Sequence, residues 1–337
     1  MRFTSLITGA LAASVVAAHP GHDHEAEARN LEAMLDRMPR RDLSHCAEII
    51  KRSGMEARSI ARREELAAQL MKKRGLTGRA TPINTSHKST KGYTLSTPYS
   101  TIFATNNTCV LSPEVTEGPY YVAGEYIRKD TVEKQTGVSL TLDIQVLNID
   151  TCKPVSGAYL EIWHTNATGV YSGISASGNG NSAKDKSNLN ATFLRGVQQT
   201  DSDGVVQFNS IFPGHYTGRT THTHVLVHTN AKALANGTIM DVTASHVGQF
   251  FYDQDLITLV EATAPYKSNK QTVTLNKNDG ILTQASKTGD PFINYVTLGG
   301  SSVSGGLLGW IAFGIDTDLA KKVTKGATLY ASGGVSG

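Results

Sequence analysis

Between residues 109 and 318, apolar and polar residues alternate along several short stretches, which is the pattern of strands with one buried face. Leu140, Leu142, Ile144 and Val146 are separated by polar residues and precede a turn at 148–150. Residues 157–165 (GAYLEIWHT) form another candidate strand, and the turn at 200–204 (TDSDG) leads into a third. Short strands separated by Gly, Asn and Asp turns predict an all-β sandwich.

The segments on either side of residues 109–318 have a different character. Residues 19–80 are charged and rich in helix formers, and we expect a helix from Leu43 towards Lys73 after an interruption at Pro39. Residues 81–108 are rich in Ser, Thr and Asn, which predicts a linker that lies over the domain surface. Residues 319–337 end in a Gly- and Ser-rich sequence and are expected to form a C-terminal tail with a frayed end.

The first 18 residues have the features of a signal peptide. A positive start is followed by a short apolar run from Leu6 to Val16 and by small residues before His19. Five N-glycosylation sequons agree with secretion, at Asn84, Asn106, Asn166, Asn190 and Asn236. No later segment reaches about 18 apolar residues. We therefore expect a secreted, extracellular protein with no membrane span.

Composition and charge fit a globular protein and leave the disulfide pattern open. The chain of 337 residues is 39% hydrophobic and 18% charged, and its net charge of +3 gives no reason to expect nucleic acid. Three cysteines are too few for a disulfide-dense scaffold. Cys109 and Cys152 are the expected pair; Cys46 would then be free, pair with another chain, or replace one of the two.

Three histidines lie close together in residues 218–228 (GRTTHTHVLVH). In an extended strand, residues two apart share a face and lie about 6–7 Å apart, so the rings of His222 and His224 can reach one ion. His228 is about 13 Å from His224 on a regular strand, too far for the same ion, and is expected to be a surface or packing residue. A lone His-x-His does not choose between Zn, Cu, Fe and Ni.

Two tyrosines follow turns near this strand, Tyr171 in IWHTNATGVYSG and Tyr216 in IFPGHYTGR. A phenol has a pKa near 10, so it becomes a ligand when a highly charged ion such as Fe(III) displaces its proton. Packing is the ordinary role of each tyrosine taken alone. Together with the histidines, they make a ferric site a hypothesis that needs further support.

That support comes from a resemblance to a known family. LSPEVTEGPYY (111–121), GAYLEIWHTNATGVYSG (157–173), FLRGVQQTDSDGVVQFNSIFPGHYTGRTTHTHVLVH (193–228) and SHVGQFFYDQDL (245–256) resemble the intradiol ring-cleaving dioxygenases, in particular their secreted, fungal-type branch. The resemblance is dense from Ser112 to Leu256 and thinner to about Asp316. It implies an intradiol-dioxygenase-type β-sandwich, here with an N-terminal helical extension.

The resemblance also implies a site and a reaction. The family binds a non-haem Fe(III), which in this chain would be held by Tyr171, Tyr216, His222 and His224. Arg219 and Gln249 match the family's catalytic arginine and the glutamine that faces the substrate ring. Tyr216 matches the tyrosinate that leaves the iron and acts as a base. The implied partners are a small aromatic diol and O2, and the product is a muconate-type diacid.

Other interpretations of the same residues stay open. The chain could be a secreted β-sandwich binding or surface protein that retains the metal motifs without activity. It could also be a zinc or copper hydrolase built on His222 and His224. The helical segment does not match the region that dimerises intracellular relatives, so the oligomeric state is open and a homodimer is one alternative.

Overall fold

Two β-sheets face each other across a core of apolar side chains in the computed structural model. Residues 43–77, 96–104, 108–110, 120–180, 186–241, 243–244, 246–287, 289–300, 302–318 and 321–336 are described, together with positions 26, 29 and 33. The expected signal peptide and the sequons at Asn84 and Asn106 lie outside these residues.

The regular elements are short, as the turn-rich sequence predicts. The helices are α1 (Ala47–Arg52), α2 (Met55–Lys73), α3 (Tyr99–Phe103), α4 (Gln254–Glu261) and α5 (Gly280–Ala285). The strands are β1 (Thr108–Val110), β2 (Val122–Ala123), β3 (Ser139–Asn148), β4 (Tyr159–Trp163), β5 (Arg195–Gln199), β6 (Val205–Ile211), β7 (His222–His228), β8 (Thr243–Ala244), β9 (His246–Phe251), β10 (Asn294–Thr297), β11 (Leu307–Ile315), β12 (Lys321–Lys322), β13 (Ala327–Tyr330) and β14 (Gly333–Ser336). Short 3-10 helices lie at Ser44–Cys46, Ser177–Asn179, Lys186–Asn190, Tyr266–Ser268, Asn276–Asn278 and Val303–Gly305.

The two large sheets form an open sandwich. One has the order β1-β11-β3-β6, with β10 also paired to β11; the other is antiparallel in the order β5-β4-β7-β9. Alternate residues of β3, β4 and β7 fill the space between the sheets, for example Leu142, Ile162 and Val225. The predicted β-sandwich with a small helical part before it is therefore confirmed, and the sheets do not close into a barrel.

The helical segment covers the outer face of the first sheet. α2 packs Leu66 and Met71 in one cluster with Phe103 and Trp310. Arg62 and Arg63 of α2 reach Asp143 on β3, which is fully buried. α3, which lies inside the segment expected to be a surface linker, thus contributes a buried residue, Phe103, to this packing.

A disulfide joins the helical segment to the sandwich. Cys46 is bonded to Cys152, 106 residues away in the turn after β3. The expected pairing of Cys109 with Cys152 is therefore wrong, and the alternative in which Cys46 replaces one of the two is the observed one. The cause is the packing of the first helical turns beside that turn, where Leu43 and Cys46 contact Ile149.

The C-terminal segment does not fray in the residues that the structure describes. β13 pairs with β14 and lies parallel to β2, while β12 pairs with β8. Leu329, though only partly buried, packs against the cluster on the outer face of the second sheet. The expectation of a frayed end is wrong for residues 321–336, because these residues add backbone pairing and apolar cover. No helix in the described ranges has the length and apolar character needed to cross a membrane.

Candidate metal centre

The His-x-His pair lies on β7, inside the second sheet. β7 pairs with β4 on one side and with β9 on the other, so its position is fixed from both edges. Val225 and Val227 point into the core, which leaves His222 and His224 on the outer face. Their Nε2 atoms are 3.1 Å apart. The alternation read from the sequence therefore places both rings together as expected.

The two tyrosines reach the same point from loops. Tyr171 follows β4, and its backbone N–H donates to the side chain of Asn179 (2.8 Å). Tyr216 lies between β6 and β7. The two loops meet where the Gly214 N–H donates to the carbonyl of Asn166 (3.2 Å), an approach that a side chain at 214 would obstruct.

The donor atoms of these four residues converge. Tyr171 Oη lies 3.1 Å from His224 Nε2 and 3.4 Å from His222 Nε2, and Tyr216 Oη lies 3.3 Å from His222 Nε2. Ligands about 2.1 Å from one ion, at angles near those of a tetrahedron, lie about 3.0–3.5 Å from one another. These four separations match the spacing of ligands around a single metal ion.

Protonation at the cluster also fits a cation. The Nδ1 atom of His222 lies 2.6 Å from the carbonyl oxygen of Thr220 and donates to it, so Nε2 carries the lone pair. Burial and the adjacent Tyr216 raise the pKa of Tyr171 well above 10. A phenol in this position becomes a phenolate only when a strong positive charge replaces its proton. Two imidazoles and two phenols therefore suit a highly charged ion such as Fe(III).

Arg219 and Gln249 lie beside the cluster and contact each other. Gln249 is the register partner of His224 on β9. Arg219 donates from Nη2 to Gln249 Oε1 (2.6 Å) and from Nε to Asp279 Oδ2 (2.8 Å). Burial opposes the ionised form of Asp279, but Arg219 and two backbone N–H groups outweigh it and hold its pKa below the ordinary value.

Sequence reasoning missed Asp279. It lies 60 residues from Arg219, beyond the motifs that carry the resemblance. The one available signal was local: an Asp-Gly step before an apolar stretch marks a helix N-cap. Asp279 does cap α5, since its side chain accepts from the Leu282 N–H.

Aromatic rings surround the candidate ligands. The Trp163 ring stacks on His224 with centroids 4.8 Å apart and an interplanar angle of 2°. The ring centroids of Tyr120 and Tyr171 are 5.2 Å apart, and the ring of Tyr121 packs on that of Trp163. We expected one of these tyrosines to line the pocket and the other to lie in the core. Both are buried, and Tyr120 is the one beside a candidate ligand.

His228 lies on the same face but away from the cluster. It is fully buried, 3.3 Å from Glu161 and 3.5 Å from Asp241. Burial opposes its charge, but the hydrogen bonds to Asp241 and Glu161 raise its pKa to about 9. It is thus a buried packing residue in an ion pair.

Known proteins resemble this chain over the region just described. A family profile described as Dioxygenase matches residues 116–249, which include all six candidate site residues. The solved intradiol ring-cleavage dioxygenase from Tetranychus urticae is 34% identical; the match covers 62% of this chain and 95% of that one, with a TM-score of 0.50. The chain therefore belongs to the intradiol ring-cleaving dioxygenase family.

Curated relatives are similar over a shorter segment. Catechol 1,2-dioxygenase 1 from Acinetobacter lwoffii is 34% identical over 111 residues, which cover 31% of this chain and 32% of that protein. Catechol 1,2-dioxygenase from a Pseudomonas species is 33% identical over 111 residues, with the same coverage. The match spans about a third of these relatives' length.

Proposed function

We propose that this protein is an extracellular, Fe(III)-dependent intradiol dioxygenase that opens catechol-type rings with O2 to muconate-type diacids. One catechol and one O2 give one diacid that retains both oxygen atoms, so the reaction needs no external reductant. The observation that carries the proposal is the convergence of Tyr171, Tyr216, His222 and His224 on one point.

When bound at that point, Fe(III) would act as the Lewis acid for a chelated catecholate and make its ring reactive towards O2. The chain's own residues have separate tasks. Tyr216, as a phenolate, is a base of suitable strength to take a proton from the incoming diol.

Arg219 and Gln249 would bind the substrate. Arg219 is cationic at every accessible pH, so it stabilises negative charge that develops on the substrate during oxygenation. Arginine only donates hydrogen bonds, so the Gln249 atom that faces it must be the carbonyl oxygen. The amide nitrogen of Gln249 is buried and has no hydrogen-bond partner among the described residues. It is therefore a donor for a substrate oxygen.

The decisive experiment measures metal and turnover in the same preparation. We expect iron, a red-brown tyrosinate-to-Fe(III) band, and oxygen consumption with catechols in an oxygen electrode. Tyr216→Phe should lower turnover by about 100-fold or more, the scale of losing a catalytic base. Tyr266→Phe is a matched control, because within the described part of the chain that buried hydroxyl bonds only backbone groups, at Phe212 and Val138. Protein without iron, together with an unchanged rate in Tyr216→Phe, would overturn the proposal.

The zinc or copper hydrolase is less well supported. Among the described His, Cys, Asp and Glu residues, the only close group of three is His45, Cys46 and Cys152. Its two cysteines are bonded to each other. His222 and His224 thus have no third ligand of these types in the described part of the chain, whereas two tyrosines are adjacent. A colourless zinc protein would restore this alternative, and a coloured but inactive one would favour the binding protein.

We further propose that the protein is secreted and glycosylated. The signal-peptide pattern and the sequons motivate this, and the Cys46–Cys152 bond agrees with an oxidising compartment. Asn236 is exposed in a turn and suits a glycan. Intact mass after expression in a secretory host, with Asn236→Gln as the comparison, tests this; cytosolic retention of the full chain would contradict it.

A further inference from the structure

One carboxylate holds together the two groups that the proposed function assigns to the substrate. Asp279 is 1% exposed. Its Oδ2 accepts from Arg219 Nε and from the Thr220 N–H, both at 2.8 Å. Its Oδ1 accepts from the Leu282 N–H at 2.8 Å, at the start of α5. The backbone of α5 therefore holds Asp279 in place, and Asp279 in turn holds Arg219 and Thr220, which precede β7.

The contacts continue to both sides of the metal cluster. Arg219 passes the constraint to Gln249 through the 2.6 Å hydrogen bond from Nη2 to Oε1. Thr220, which Asp279 also holds, orients His222, because the carbonyl oxygen of Thr220 lies 2.6 Å from His222 Nδ1. The planar guanidinium offers donors in a fixed fork, so holding Nε on Asp279 determines where Nη2 points.

We propose that Asp279 is a positioning residue of the dioxygenase site: its carboxylate fixes the guanidinium of Arg219, and through it the amide of Gln249, with Nε2 presented to the substrate. This inference rests on the proposed function, which gives Arg219 and Gln249 their roles. Without the carboxylate, Arg219 keeps its charge but loses its orientation. The side-chain amide of Gln249 can then rotate and exchange the positions of its oxygen and nitrogen.

Asp279→Asn is the informative variant. Asn caps helices as well as Asp does, so α5 can keep its N-cap, while the charge and the second acceptor are lost. We expect kcat to fall by about 10- to 100-fold, the usual effect of removing a partner that orients active-site residues. Anaerobic binding of catechol, followed through the visible band, should weaken by less than kcat falls, because the four metal ligands remain and only the contacts of Arg219 and Gln249 are disturbed.

Asp143→Asn is the matched control. Asp143 is also a buried carboxylate that pairs with arginines, but it lies on the outer face of the other sheet. The Asp143→Asn variant should be less stable than the wild type and should have the wild-type kcat. A double-variant cycle then separates positioning from general damage. In an Arg219→Met background, Asp279→Asn should cost less than about twofold more, because residues acting as one unit are not additive.

A measurement without turnover keeps the inference testable even where a variant folds poorly. In metal-free, 15N-labelled protein, the Arg219 Nε–H should exchange slowly with solvent, and its resonance should disappear in Arg219→Met. Fast exchange in the wild type, or equal protection in Asp279→Asn, would overturn the positioning role. The inference would also be overturned if the two substitutions together, Asp279→Asn and Arg219→Met, lowered kcat by the product of their separate losses. A wild type that opens no catechol would instead remove the proposed function, and the exchange measurement would still report the Asp279 contact.

Discussion

The buried ion pair of His228 makes stability depend on pH in a direction that the structure fixes. The His228 ring lies between Glu161 and Asp241, and the charges of Arg195 and Glu125 interact with that of Glu161. Its pKa rises from 6.5 to about 9 on folding. A tenfold change in proton affinity corresponds to about 1.4 kcal/mol, so the protonated ring contributes about 3 kcal/mol.

The sign follows from the raised pKa. The contribution is fully present below pH 6.5, where the unfolded chain also binds the proton, and it is lost as pH rises through about 9. Burial raises the pKa of Glu161, and it raises that of Glu125 to about 8, so both carboxyls act in the same direction. The folded protein should therefore become less stable from pH 6 to pH 9.5.

Urea unfolding followed by tryptophan fluorescence at the two pH values measures this effect. The control is His228→Gln combined with Glu161→Gln, a pair that does not titrate. Most of the Glu125 effect is common to both proteins and cancels in the comparison. The wild type should lose about 3 kcal/mol more than the double variant. Equal losses, or a wild type that gains stability at high pH, would refute the reasoning.

Three further predictions concern the supports of the sandwich and the site. Cys152→Ser should lower the free energy of unfolding by about 3–5 kcal/mol, because the bond from Cys152 to Cys46 closes a long loop. Cys109→Ser should keep that bond, which the mass after alkylation measures. Loss of the bond in Cys109→Ser would contradict the pairing. Asp143→Ala should cost about 3–5 kcal/mol in urea unfolding, since it leaves two arginines without their carboxylate, and a cost below about 1 kcal/mol would contradict a buried pair. Gly214→Ala should cost about 1–3 kcal/mol and reduce the iron bound per chain, because the added methyl overlaps the loop that carries Tyr171; full iron content would show that the loops adjust freely.

Strands β3, β4, β6 and β7 could be predicted from short local patterns, whereas β11, an uninterrupted buried apolar run, could not be predicted from alternation. Leu140, Leu142 and Ile144 point into the core as their spacing indicates. The same pattern led to an incomplete picture of the other face, where Asp143 would ordinarily meet water. Its burial depends on arginines of α2, 80 and 81 residues earlier. No local pattern contains a contact of that range.

The site divides in the same way. The spacing of His222 and His224 required only the geometry of a strand, and it held. Bringing Tyr171 and Tyr216 to them depends on how two loops cross at Gly214, which the resemblance supplied and spacing alone did not. Asp279 belongs to neither category, since it is outside the motifs and reaches Arg219 from the cap of a short helix.

The location of the site on the sandwich explains why its supports come from distant segments. The outer face of the second sheet carries the candidate ligands at one end and the Glu161–His228 pair at the other. A face with this many polar groups is stable only when it is covered and its groups have partners. Here the cover comes from residues 120–123 and from the C-terminal strands, and Arg195 ties Tyr120 to Ser172 beside Tyr171. A change in these covering segments should therefore alter the candidate metal centre as well as the stability, even where no candidate ligand is touched.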